Sequence, residues 1–150
     1  MAISLNQFAP NTPLDGMYVY QANLPQLHNV VVSASQGTAL KAGDFVKLDT
    51  SSTNVNAPVA LAAAASDAVF GVLSYNPRKN QWAAGEKFAV ARPGDVIFKT
   101  AGGAVAVGAT LYHTAANKVV SSDPGSGTTI GIALTPASAD GDVIQVLLKF

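Results

Sequence analysis

From about residue 29 the chain alternates short apolar runs with polar, turn-forming clusters. Asn29-Val-Val-Val-Ser-Ala is a β-branched run, and Asp44-Phe-Val-Lys-Leu-Asp alternates with period two in its second half. Ala68-Val-Phe-Gly-Val-Leu-Ser-Tyr reads as a buried strand, and Glu86 to Arg92 alternates charged or small residues with Phe88 and Val90. Asp95-Val-Ile-Phe-Lys-Thr, Ala104 to His113, Lys118-Val-Val, Thr129-Ile-Gly-Ile-Ala-Leu and Asp142 to Lys149 continue the series. Gly, Pro, Asn, Asp and Ser separate about nine short strands, at the spacing of sandwiches and barrels. One helix candidate stands out, Val59 to Asp67. Its alanines favour a helix, but Pro58 precedes it and it has no amphipathic stripe, so the pattern leaves it open.

The series nearly repeats itself. Ala39-Leu-Lys-Ala-Gly-Asp-Phe-Val-Lys-Leu-Asp is similar to Ala104-Val-Ala-Val-Gly-Ala-Thr-Leu-Tyr-His-Thr. Val69-Phe-Gly-Val-Leu matches Thr129-Ile-Gly-Ile-Ala-Leu, and Ala84-Gly-Glu-Lys-Phe-Ala-Val matches Asp140-Gly-Asp-Val-Ile-Gln-Val. Gly43, Gly85, Gly108 and Gly141 stand where tight turns need a positive φ. Gly71 and Gly131 lie inside strands, where glycine signals a bulge or a close backbone approach. The pattern predicts an all-β fold: a compact β-barrel or sandwich built from two similar β-units, about 39–99 and 104–150, within a body spanning 29–150.

Residues 1–28 differ. Pro10, Pro13 and Pro25 interrupt regular structure, and Phe8, Leu14, Met17, Tyr18, Tyr20, Leu24 and Leu27 follow neither helical nor strand period. At about 3.3 Å per residue, such a segment reaches roughly 90 Å when extended. The reading is an extended N-terminal arm that orders against a neighbour, because exposed apolar groups favour burial. Phe8, Leu14, Met17, Tyr18 and Tyr20 are its candidate contacts. On the body, Tyr75 and Trp82 flank a polar loop that carries Arg78, and the three are candidate trimer or capsid contacts because aromatics favour interface cores. Trp82 has a second reading, as an ordinary core anchor.

Composition narrows the function. Apolar residues make up 49% and charged residues only 12% of the 150 residues, about half the usual charged share. Such a chain covers itself with Ser, Thr, Asn and Gln or buries surface against partners, which suggests an assembly component. Nine basic and nine acidic residues cancel, which argues against nucleic-acid binding through phosphate neutralisation. With no cysteine, disulfides and thiolate metal sites are excluded. The first residues have neither the charge nor the apolar core of a secretory signal, and no apolar run is long enough to span a membrane. The expectation is a protein made in the cytosol, with no membrane partner. His28 and His113 are too few for a zinc site, Glu86 is the single glutamate, and Asp140-Gly-Asp142 reads as a turn rather than a calcium loop. Gly125-Ser-Gly127 lacks a nucleophile elbow's spacing, and Arg92-Pro-Gly-Asp-Val reads as a turn into a strand or a docking loop. No enzyme and no cofactor are expected.

The ordered succession Ala39-Leu-Lys-Ala-Gly-Asp-Phe-Val, polar loop, Val69-Phe-Gly-Val-Leu, turn at Gly85, second Gly-centred strand and C-terminal Gly-Asp-Val-Ile-Gln-Val-Leu resembles the structural cement (head decoration) proteins of tailed bacteriophages, over about residues 30 to 150. The resemblance implies a small β domain on the capsid exterior of the virion, often a homotrimer. It implies the major capsid protein as partner, an arm reaching over neighbouring capsid subunits, and no catalytic residues. On this reading the protein cements neighbouring capsid subunits against internal pressure. The alternatives are another phage structural part, in the tail or head completion, and a carbohydrate-binding β module in which Trp82 and Tyr75 stack on a glycan.

Overall fold

The computed structural model describes residues 14–20, 27–125 and 128–150, leaving out the side chains of 19, 20, 27 and 28. Strands β1 (Tyr18–Tyr20), β2 (Leu27–Val32), β3 (Leu40–Lys41), β4 (Phe45–Leu48), β5 (Val59–Ala62), β6 (Gly71–Leu73), β7 (Gln81–Trp82) and β8 (Lys87–Ala91) come first. Then follow β9 (Val96–Gly102), β10 (Thr110–His113), β11 (Val119–Val120), β12 (Thr129–Ala133) and β13 (Asp140–Leu148). The fold is all-β, and no helix occurs among the described residues.

Two similar units account for it. The first is a closed barrel of order β2-β5-β4-β6-β8. The second runs β9-β11-β10-β12-β13 and closes through the β13–β9 pairing, with β1 added along β9. Every neighbour relation matches, including the one parallel pair in each barrel, β2 with β5 and β9 with β11. Register matches too: Val46 faces Gly71 as Leu111 faces Gly131, and Val32 faces Ala60 as Ala101 faces Val119. The motif repeat therefore extends to whole barrels. Each begins one strand ahead of the matching motifs, and the change from one to the other falls at residues 92–95, so β9 belongs to the second.

The repeated glycines have matching jobs. Gly43 N–H donates to the Leu73 carbonyl and Gly108 N–H to that of Ala133, both at 2.8 Å. A Cβ on Gly131 would stand 2.2 Å from the Leu147 carbonyl oxygen, and one on Gly71 2.9 Å from Val90 Cβ. Gly131 in the middle of β12 and Gly71 at the start of β6 thus each mark a close approach of the neighbouring strand. Four turns share the pattern x-x-Gly-acid: 41–44, 83–86, 92–95 and 139–142. In each, the acid's carboxylate accepts the N–H of the residue three positions earlier, and the glycine has φ between +83° and +96°, as the third residue of a type II turn requires. The Arg92-Pro-Gly-Asp motif is one of these.

Val59–Ala62, part of the open helix candidate, is a strand. Ala60 is fully buried between Val32 on β2 and Leu48 on β4, so pairing on both edges overrides the alanine preference.

The barrels share a core. Val46, Leu73 and Val90 point into the first barrel, while Phe45, Val72 and Ala91, their neighbours on β4, β6 and β8, join the apolar cluster of the second. The outer face of the first barrel thus covers one end of the second. Burying a side chain such as Phe45 contributes roughly 1.5–3 kcal/mol.

Candidate interaction surface

The loop from β6 to β7 carries the sequence-derived body candidates. Asn76 accepts the Arg78 N–H on its Oδ1 at 2.9 Å and the Lys79 N–H on its carbonyl at 3.2 Å, closing a turn around Pro77. Residues 76–81 are exposed. Trp82 ends the loop but turns inward: β7 pairs it with Leu40, and it is 4% exposed within the first barrel's core. Its second reading, the core anchor, describes its place.

The described part of the predicted arm lies against the body beside this loop. Tyr75 N–H donates to the Gly16 carbonyl at 3.0 Å, and Gly16 N–H to that of Phe98 at 3.0 Å. Tyr18 packs half-buried against the second barrel's core. Burial, and next the Asp95 carboxylate, push its hydroxyl up to about 12, so it stays neutral. A cleft of about 330 Å³ lies between Tyr18, Tyr75, Pro77, Trp82 and Phe88. A second groove, about 420 Å³, lies between exposed Leu14, Tyr75, Pro77, Arg78 and Asn80. The structure thus brings Leu14, Tyr18, Tyr75, Arg78 and Trp82 to one face. Met17 is half-buried nearby. Phe8 lies outside the described residues, as does the side chain of Tyr20, whose backbone pairs with Val96.

Beneath this face is a polar junction that sequence reasoning missed. Lys99 is fully buried. Its ammonium donates to the Gly43 and Asn117 carbonyls, both at 2.7 Å, lies 3.3 Å from Asp15 Oδ2 and stands 4.6 Å from the centre of the Phe45 ring. Burial lowers its pKa, and the Asp15 and Asp44 carboxylates oppose that shift. Asp15 also accepts the Thr100 N–H and hydroxyl. A side chain on Gly43 would strike Asp15, with Cβ to Cβ at 2.4 Å. The segment at 15, the first barrel and the second therefore meet at one ammonium. A signal was present in the sequence: Lys99 occupies the inward register of β9 with Ile97 and Ala101.

His113 is also fully buried, its ring tilted against Phe45 at 4.9 Å between centroids. Burial holds its pKa below the ordinary histidine value. The side chain of His28 is outside the described residues. Among the described residues no three His, Asp or Glu side chains gather as a metal site would require. Several acids instead serve turns: Asp44, Glu86, Asp95 and Asp142 in the Gly-acid turns, and Asp67 with the Ala64 N–H at 2.7 Å.

Two closed five-stranded barrels with a shared core and an exposed loop at 76–81 form an all-β body. The chain belongs to the phage cement protein family, whose pattern matches residues 25–148. No curated protein matches it. Among solved structures it is similar to the N base of the head fiber gp8.5 of bacteriophage phi29, at 16% identity and a TM-score of 0.56, covering 81% of this chain and 91% of that one. That likeness is one of fold.

Proposed function

We propose that this protein is a non-enzymatic component of the capsid exterior that binds the major capsid protein, as a homotrimer, and holds neighbouring capsid subunits together against internal pressure. A clamp that binds only the assembled shell stabilises it by linkage, and three copies of a weak footprint act together. Membership of the cement family supports the capsid as partner. The observation that carries the site is the convergence of Leu14, Tyr75 and Arg78 on one exposed face; Phe8 and the other arm residues before Leu14 are proposed as further capsid contacts. This observation favours a protein partner over a glycan, because Trp82 is buried and offers no open ring face for stacking.

The experiment removes residues 1–13 and measures co-sedimentation with capsids and heat-induced DNA release. We expect the truncated chain to fold, to bind at least roughly tenfold more weakly, a loss of about 1.4 kcal/mol, and to leave particles releasing DNA at lower temperature. Unchanged binding would remove the arm from the mechanism. Arg78→Ala with Tyr75→Ala tests the body's share in the same assay.

A further inference from the structure

The interface between the two barrels has two sides, and the repeat gives each side a counterpart elsewhere in the molecule. On one side the first barrel presents the turn at Gly43 and the outward face of β4. On the other, the second barrel presents the end marked by His113 and the β10–β11 turn. Phe45 rests on His113, its N–H donates to Asn117 Oδ1 at 3.3 Å, and the Gly43 carbonyl accepts from Lys99.

The registers define the counterparts. Ala42, Gly43, Phe45 and Ser74 of the first barrel correspond to Val107, Gly108, Thr110 and Leu134 of the second. His113 and the turn carrying Asn117 correspond to Leu48 and the β4–β5 loop carrying Val55. Within the chain, Ala42 is partly buried against the first barrel's own core, while Ser74 and the contact residues Gly43, Phe45 and His113 are buried. The second sets are not. Val107 is 62% exposed, Leu134 40%, Leu48 45% and Val55 93%. Among the described residues these are four of the five exposed large hydrophobics, Leu14 being the fifth.

The surroundings suit a protein surface. Residues 104–110 and 134–139 contain no charged side chain. At the other end, Lys47 and Asp67 pair at 2.8 Å, beside a groove of about 500 Å³ lined by Leu48, Phe70, Phe150 and Arg92, whose guanidinium donates to the Phe70 carbonyl. Exposed apolar groups collected on two faces mark interaction sites, and here each face matches one half of a contact that the molecule already makes.

We propose that the face of the second barrel bearing Val107, Thr110 and Leu134 docks on the end of the first barrel bearing Leu48 and Val55 in a second copy of this chain, repeating between molecules the barrel-to-barrel contact made within one. The contact is head-to-tail, with different surfaces on its two sides, and such contacts build closed rings when the rotation per copy closes. The inference rests on the self-association in the function proposed above. Its test needs no capsid, so failure here leaves capsid binding to be decided by the truncation experiment.

The full-length chain and its variants are compared by sedimentation velocity and light scattering at micromolar concentration. The native chain is expected at a multiple of its 15.3 kDa mass. Leu134→Glu and Leu48→Glu, at exposed positions, are each expected to fall to one chain with an unchanged melting curve. Their equimolar mixture is expected to form a two-chain species, because one variant keeps the intact end and the other the intact face. If either substitution disturbs folding, Val107→Glu and Val55→Glu serve the same roles. A monomeric native chain, an oligomer that survives substitution on both sides, or a mixture that remains at one chain overturns the proposal.

Discussion

Lys99 shows how one residue governs the junction. It stands in β9 where the corresponding residue of the first barrel, Val30, is an ordinary core valine. The ammonium tolerates complete burial because its three donors all face acceptors: two carbonyls and the Asp15 carboxylate. Breaking a buried pair by removing one member leaves an uncompensated charge. We therefore expect Asp15→Ala to destabilise the protein by about 2–3 kcal/mol, measured by urea unfolding. Adding Lys99→Met should recover much of that loss, since an apolar side chain no longer needs the carboxylate. A double variant that loses as much as the two single variants summed would contradict this account. Alternation along Val96-Ile97-Phe98-Lys99-Thr100-Ala101 announces that Lys99 points inward. Its partner lies 84 residues away, and no local pattern links the two.

Elements follow their turns. The x-x-Gly-acid turn stands directly before β4, β8 and β9 and opens β13, and sequence reading placed most of the longer strands because their β-branched runs and alternation are bounded by glycine and other turn residues. β3, β5 and β7 escaped it, since short strands held by pairing on their edges carry little period of their own. β1 escaped for a related reason: it lies in a proline-bearing segment without alternation and is a strand only because β9 offers an edge. Its presence sharpens what a truncation does. Removal of residues 1–13 is expected to leave the melting temperature of the body unchanged, whereas removal of residues 1–20 takes away β1 and Asp15 together. The longer truncation should lower the melting temperature by about 10 °C, the shift that a loss of about 3 kcal/mol produces in a chain of this size. Equal melting of the two truncations would show that the segment from 14 to 20 contributes nothing to the body.

At the scale of the whole molecule, the barrels are one cooperative unit. Phe45, Val72 and Ala91 serve the core of their neighbour, so the first barrel cannot open without uncovering the second, and calorimetry should show a single transition. His113, at that seam, makes the transition depend on pH. Its pKa is lowered in the fold by burial, so below the ordinary value of about 6.5 the unfolded chain takes up a proton that the folded chain does not. Stability is then fully present above about pH 7 and falls as the pH drops through 6.5, with a limiting slope of about 1.4 kcal/mol per pH unit. His113→Leu, the residue at the matching place of the first barrel, should flatten that dependence between about pH 6.5 and 5, above the range where carboxylates titrate. An unaltered slope in this variant would assign the effect to another group.

The sequence by itself determined the β character, the turn positions, the two-unit repeat and the family, because alternation, glycine placement and motif order are local and survive without coordinates. Tertiary structure alone decided the rest. It decided that each unit closes on itself, that residues 59–62 pair rather than coil, that Trp82 faces inward, and that residues 15–18 join the body. Each of these depends on contacts between residues far apart in the chain, where burial and pairing on two edges outweigh the preference of any short stretch.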